Sequence, residues 1–258
     1  MGRILGFIYG MAVYLVMFLA FLYLFGFLAN FYVPKMIDSG DGAGFATALA
    51  INLGLIVLFG VPHSLMARQG FKRWWTKWVP QAIERSTYVL VATATMIFLF
   101  WAWQPMTETV WQVDDGVARS VIWSLYVIGI IVLFASTFVI NHFDLFGLRQ
   151  ITLNLLNKPY TNLGFKVTFF YKFVRHPLYI GWLLIFWATP DMSVGHLLFA
   201  VGMSAYIFIA IRYEERDLVE YHGEDYVNYQ EKVPMLVPRP GKVHETVKPQ
   251  PSGASRQA

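Results

Sequence analysis

Residues 174–181 read Val-Arg-His-Pro-Leu-Tyr-Ile-Gly, and two apolar runs follow, 182–189 and 197–211, with Pro190-Asp191 between them. The chain then turns polar at Arg212-Tyr213-Glu214-Glu215-Arg216-Asp217 and continues through Tyr221, Tyr226 and Tyr229 to Pro234 and Pro238. This spells an apolar hairpin with ionisable groups at its two outer ends. A hairpin that crosses a bilayer and returns would bring Arg175, His176 and Tyr179 to the same membrane face as Glu214 and Glu215. Ionisable side chains are costly to keep at the rim of a membrane bundle, so such a gathering is a functional candidate.

The rest of the chain supports a membrane setting. Of 258 residues, 57% are hydrophobic and only 14% charged, and the mean hydropathy is +0.49. That is too apolar for a soluble domain. A helix needs about 20 apolar residues to cross a bilayer. Spans are predicted over 4–31, 45–66, 86–104, 120–140, 177–190 and 195–212. The fifth is short, which leaves five or six full crossings open. The first is too long for the core of a signal peptide and reads as a span. The predicted fold is an all-α polytopic membrane helix bundle over 1–240, its C-terminal helical hairpin forming a cytoplasm-facing pocket. A tail rich in Pro, Gly, Ser and Lys, 241–258, is expected to be disordered.

Loop charges set the orientation. Arg68, Lys72, Arg73, Lys77 and Arg85 follow span two; Arg149, Lys158, Lys166, Lys172 and Arg175 follow span four. The intervening loops are mostly acidic, with Asp38, Asp41, Glu108, Asp114, Asp115 and Asp191. Basic loops stay in the cytoplasm, which places both termini and both ends of the hairpin there. Trp74, Trp75 and Trp78 beside Lys72, Arg73 and Lys77 suggest an interfacial segment lying on the lipid bilayer. The long connection from Asn141 to Arg175 is expected to pack over the cytoplasmic mouth of the bundle.

Several chemistries are excluded. Without cysteine there can be no disulfide, zinc–thiolate site or catalytic cysteine. No P-loop, haem-attachment motif or metalloprotease His-Glu-x-x-His is present, and no metal site is expected. The Gly40–Gly44 stretch lies between two membrane helices and reads as a linker, not a phosphate cradle. No basic stripe interleaved with stacking aromatics points to nucleic acid.

The pattern Arg175-His176-Pro177-x-Tyr179-x-Gly181, then Glu214-Glu215, then spaced tyrosines and a Val-Pro ending, resembles the integral-membrane methyltransferases related to isoprenylcysteine carboxyl methyltransferase. Residues 141–150 (Asn-His-Phe-Asp-Leu-Phe-Gly-Leu-Arg-Gln), 62–68 (Pro-His-Ser-Leu-Met-Ala-Arg) and 84–88 (Glu-Arg-Ser-Thr-Tyr) are similar to a narrower branch, the bacterial methanethiol S-methyltransferases. The resemblance implies S-adenosylmethionine as cofactor and a small thiol, methanethiol, as acceptor. It also implies a cofactor pocket lined by Arg175, His176, Pro177, Tyr179, Gly181, Glu214 and Glu215.

These residue types suit that ligand. Carboxylates match a ribose diol and an ammonium group; aromatic rings match adenine and a sulfonium cation. Pro177 suits the first helical position, and Gly181 leaves room for a ligand or a close helix. Glu214 shares an apolar stripe with Ile207, Ala210 and Leu218, whereas Glu215 aligns with Arg212 as a surface pair. Glu214 is therefore expected to be the ligand group. Methylating a thiol calls for help in forming the thiolate. His142 with Asp144 is the expected base pair, and His63 is a second candidate. Glu84–Arg85 reads as a structural ion pair. The alternatives are a methyltransferase for a prenylated or lipid acceptor, a non-catalytic membrane protein of the nitrogen-oxide-metabolism type, and a sterol-reductase-type enzyme.

Overall fold

The computed structural model describes residues 1–161 and 167–238; the expected tail lies outside the described residues. The described chain is helical almost throughout. Its elements are α1 (Gly2–Leu28), α2 (Phe45–Ala67), α3 (Gln69–Trp75), α4 (Gln81–Ala102), β1 (Thr109–Gln112), α5 (Gly116–Ile140), α6 (His142–Leu145) and α7 (Leu148–Leu155). A 3-10 turn, Phe169–Lys172, leads to α8 (Pro177–Trp187), β2 (Asp191–Ser193), α9 (Val194–His222) and α10 (Glu224–Lys232). Helices α1, α2, α4, α5 and α9 are each long and apolar enough to cross a membrane. The protein is a multi-pass membrane protein.

The apolar run expected as the fifth span is shorter. Helix α8 has 11 residues, about 16 Å of rise against a hydrocarbon layer of about 30 Å. The chain then runs as the non-helical segment 188–193 to the start of α9. Irregular backbone in a membrane protein calls for protein groups to satisfy its polar atoms, and here they do. His196 Nε2 donates to the carbonyl of Phe186 at 3.0 Å, and Trp111 Nε1 to that of Thr189 at 3.1 Å. The N–H of Val113 donates to the carbonyl of Pro190 at 3.0 Å. β2 pairs antiparallel with β1, a small element absent from the sequence prediction. Arg119 clamps Asp191 with two bonds of 2.8 and 2.7 Å, and those bonds hold the Asp191 carboxyl below its ordinary range. Ser193 caps α9 by accepting from the N–H of His196 and donates its hydroxyl to Asp38.

Helices α5 and α8 pack antiparallel at backbone distance. A methyl placed on Gly181 would stand 2.7 Å from the Leu133 amide nitrogen and 2.8 Å from the Gly129 carbonyl; one on Gly129 would meet Leu184 Cβ at 2.8 Å. Of the two uses foreseen for Gly181, the close helix is the one seen. Small residues allow this approach, and dispersion drives it where lipid removes any hydrophobic gain. The core between the helices is aromatic. It includes Phe27, Phe100, Trp103, Phe186 and Phe199, all buried.

The connection after α5 folds back over the bundle end. Helix α7 sets Ile151 against Gly10 of α1. The preceding turn needs Gly147 in the left-handed region, φ +86°, where its bare Cα meets the α4 backbone at Ser86. Arg85 Nε donates to the carbonyl of Leu145 at 3.0 Å. Among the described residues no ion pair joins Arg85 to Glu84, which corrects that expectation: the guanidinium is drawn to an orphan carbonyl instead.

Gly181→Ala should destabilise the bundle by about 1–3 kcal/mol, as overpacking does. Gly54→Ala, whose added methyl meets nothing within 4 Å, should leave it unchanged. Thermal unfolding in detergent distinguishes the two; equal melting temperatures would refute the close α5–α8 contact.

Candidate functional site

The N-terminus of α8 and the C-terminal third of α9 meet at the end of the bundle where α2 finishes and α4 begins. Arg175 Nε donates to Glu215 Oε1 at 2.6 Å, and its Nη1 donates to the carbonyls of Gln230 and Val233. His176 Nε2 lies 2.9 Å from the same Glu215 oxygen, and Gln230 Nε2 donates to the other at 3.1 Å. The backbone N–H groups of Arg175 and His176 donate to the carbonyls of Pro234 and Met235. One carboxylate thus clasps α8, α9 and the strap that follows α10. Tyr229 donates to the carbonyl of Tyr171 at 2.6 Å beneath the strap, its phenol pushed up by burial and so held neutral.

Glu214 is arranged differently. Tyr179 donates to its Oε2 at 2.9 Å, and His176 Nδ1 stands 3.9 Å away. Its side chain is 46% exposed, against 15% for Glu215. The sequence reading reversed the two environments. The inward row of α9 runs Ile207, Ile211, Glu215 at i+4 spacing, with both isoleucines buried, not along Ala210 and Glu214. Glu215 accordingly pairs with Arg175 and not with Arg212. Glu214, left partly open beside two aromatic rings, keeps capacity to bind. Pro177 is buried in the first turn of α8, where its missing N–H leaves no donor orphaned.

His142 and Asp144 lie apart from this cluster and do not pair with each other. Thr137 spends its only hydroxyl hydrogen on the carbonyl of Phe134 at 2.7 Å, so His142 Nδ1–H donates to Thr137 Oγ1 at 2.8 Å. That tautomer makes Nε2 an acceptor for the Tyr14 hydroxyl at 2.7 Å. The ring stacks on Phe138 with centroids 4.3 Å apart. Both nitrogens are committed to structure. Asp144 faces Arg149 at 3.2 Å and accepts from Gln150 and Tyr160. The structure does not bring the expected base pair together: each side chain has its own separate partners.

His63 sits one turn before the end of α2. Its Nε2 lies 3.0 Å from the Tyr88 hydroxyl, and its ring stacks on Phe59. Tyr206 of α9 packs edge-on against it and accepts from Ser64 Oγ at 3.2 Å. Beside this group Arg68 pairs with Asp217 at 3.0 Å and lies over Tyr213. Tyr206 and Gln230 were not singled out from sequence, and Tyr88 stood there only as the last residue of the 84–88 stretch. Gln230 is picked out only by its place on the Tyr226–Gln230–Val233 face of α10.

The bundle is thus that of a multi-pass α-helical membrane protein with a polar clasp at one end. A family model described as NnrU protein matches residues 51–223. The methanethiol S-methyltransferase of Crocosphaera subtropica is 48% identical over 91% of this chain and 92% of its own. That of Mycobacterium tuberculosis is 48% identical over 93% and 98%. Nurim of Mus musculus is similar at 26% over 66% of this chain and 68% of its own. No solved structure matches. The chain belongs to the NnrU protein family and to the methanethiol S-methyltransferases, and it is a membrane methyltransferase.

Glu215→Gln should cost about 3 kcal/mol of stability, because it strips the charge partner from a largely buried Arg175. Glu214→Gln, at an exposed pair, should cost less than about 1 kcal/mol. Matched unfolding curves of the two variants test this, and equal losses would sink the division of labour.

Burial also lowers the His142 imidazole from its ordinary value of 6.5. A depressed histidine stabilises the fold above its unfolded pKa, and that contribution is lost as pH falls. Stability should therefore decline below about pH 6.5, and His142→Gln should flatten the decline. An unchanged acid limb in the variant would show that another group sets it.

Proposed function

We propose that the chain transfers the methyl group of S-adenosylmethionine to a small thiol, methanethiol, giving dimethyl sulfide. The observation that carries this reading is the pair of glutamates: one locked in a clasp, the next half-open beside Tyr179 and His176. The relatives' names supply the reaction class and the acceptor.

The residues fit the cofactor. The open Glu214 carboxylate suits an ammonium or a ribose diol, and the rings of His176 and Tyr179 suit an adenine or a sulfonium. Arg175, Glu215 and Gln230 act through positioning: they pin the start of α8 so that His176 and Tyr179 face Glu214. Pro177 and Gly181 fix the path of that helix. Bound there, S-adenosylmethionine supplies an electrophilic methyl group on a positively charged sulfur. Low dielectric penalises separated thiolate and sulfonium charges more than the charge-dispersed transition state between them. Holding the two sulfurs in line contributes further rate.

The site end of the bundle also carries Arg68, Lys72, Arg73, Lys77, Arg85, Lys158 and Lys172. By the positive-inside rule it faces the cytoplasm of a bacterial inner membrane, with both termini inside. The catalytic unit is residues 1–240, and the tail beyond it is a passive extension. Trp78 and Trp74, largely exposed at the end of α3, anchor that face at the lipid interface.

Headspace chromatography over purified protein given S-adenosylmethionine and methanethiol should show dimethyl sulfide rising in step with S-adenosylhomocysteine. Glu214→Ala should weaken cofactor binding at least about tenfold, the loss expected for one charge-assisted bond. Binding without product would point to another acceptor, such as a prenylated one. Absence of binding would overturn the cofactor assignment.

A further inference from the structure

We propose that His63 is the catalytic residue that receives the acceptor thiol, in a nest made with Tyr88 and Tyr206 beneath the Tyr179–Glu214 pair. The proposal rests on the thiol-methyltransferase reading above and assigns its acceptor half-site.

Outside the clasp that holds His176, three histidines lie within the bundle, and the structure separates them. His142 has partners on both ring nitrogens. His196 caps the Phe186 carbonyl near the far end of α9, 18 residues (214 − 196) or about 27 Å along the helix from Glu214. His63 alone combines an unpartnered, solvent-inaccessible nitrogen, Nδ1, with a place beside the clasp. Buried polar atoms are nearly always paired, so an unpaired ring nitrogen at a functional end asks for a ligand.

Its surroundings suit a small apolar thiol. Phe59 covers one ring face, and Tyr88 and Tyr206 flank the ring at 5.3 and 6.2 Å between centroids. Tyr206 lies flat enough on α2 that a methyl on Gly60 would touch its ring at 3.0 Å. Both tyrosines stand in the electrostatic neighbourhood of Tyr179 and Glu214. Tyr206 precedes Glu214 by eight residues (214 − 206), or about 12 Å. The nest therefore lies about two turns deeper in the bundle than the proposed cofactor carboxylate, on its apolar side. That is where an acceptor arriving from the lipid would come to rest in line with a methyl group held at the rim. The charged and titratable groups facing His63 are Tyr88 and Arg85 from α4 and Tyr206 from α9.

In the tautomer this step uses, His63 Nε2–H donates to the Tyr88 oxygen, which orients the ring and leaves the lone pair on Nδ1. The thiol hydrogen passes to Nδ1 as the S–H bond breaks. The freed sulfur electron pair forms the new bond to the methyl carbon. The electron pair of the breaking carbon–sulfonium bond stays on the leaving sulfur and neutralises it. The proton remains on the imidazole until water takes it after product leaves.

The test compares wild type, His63→Ala and Tyr88→Phe as full-length protein in detergent. Each is titrated with S-adenosylmethionine and assayed for dimethyl sulfide from about pH 7 to 9. His63→Ala should bind the cofactor within about twofold of wild type yet turn over at least ~100-fold more slowly near pH 7, the scale of a lost general base. Its residual rate should climb about tenfold per pH unit, because only thiolate already formed in solution then reacts. Tyr88→Phe should keep cofactor affinity and lose about tenfold in turnover. If His63→Ala does not fold, His63→Asn, which keeps a polar atom near Nδ1 but takes up no proton, carries the same expectation. Wild-type turnover in the folded variant, a deficit equal at every pH, or a parallel loss of cofactor affinity would each overturn the assignment. A wild type that neither binds cofactor nor forms product would instead fail the functional reading itself.

Discussion

The carboxylate of Glu215 is the point on which the site depends. One oxygen accepts from Arg175 and His176, the other from Gln230. Those three residues belong to the start of α8 and to α10, while Glu215 belongs to α9. A largely buried charge is tolerable only when it is paired and hydrogen-bonded on all sides. Here that requirement fixes how three separate elements meet. The clasp also draws residues 233–235 across the end of the bundle, where backbone bonds to Arg175 and His176 seal it. Its neighbour Glu214 owes its openness to the same arrangement. About 100° around the helix, it is turned away from the clasp and toward Tyr179.

A second constraint comes from the membrane itself. Five helices are long and apolar enough to cross, and one further apolar helix, α8, is short. The short helix stops because Pro190 and the extended run before it replace its last turns. The carbonyls left bare where α8 ends are met by His196, Trp111 and the β1 ribbon. The gain is geometric. A straight helix of full length beginning at Pro177 has no reason to end in the ribbon that ties Asp191 to Arg119. Held at both ends and pressed onto α5 at Gly129 and Gly181, α8 presents His176 and Tyr179 from a rigid support.

The histidines show how similar residues take different roles. His142 is flanked by Asp144 in sequence but satisfied by Tyr14 and Thr137 in space, which makes it a strut between α1 and α5. His63 has one partner and one open nitrogen. It shares its nest with tyrosines from two other helices, and the nest borders the glutamate proposed to hold the cofactor. Acceptor and donor are thus approached from different sides: the donor from the charged rim, the acceptor from the apolar interior.

The sequence by itself determined the membrane class, the five long spans, and which face gathers Arg175, His176, Tyr179, Glu214 and Glu215. These follow from hydropathy, run length and charge placement, each a local property of the chain. Only the tertiary structure decided which glutamate is clasped and which is open. The helical phase of α9 is set by which residues pack against α2 and α8, and two adjacent glutamates are equivalent until that packing exists. The same holds for His142 and His63. A histidine's chemistry depends on who occupies its two nitrogens, and here the occupants come from 128 and 25 residues away. The shortness of the run at α8 was legible in the sequence, but its repair by β1 was not, because the repairing groups lie on other helices and loops. Local patterns name the ionisable groups; the fold assigns their partners.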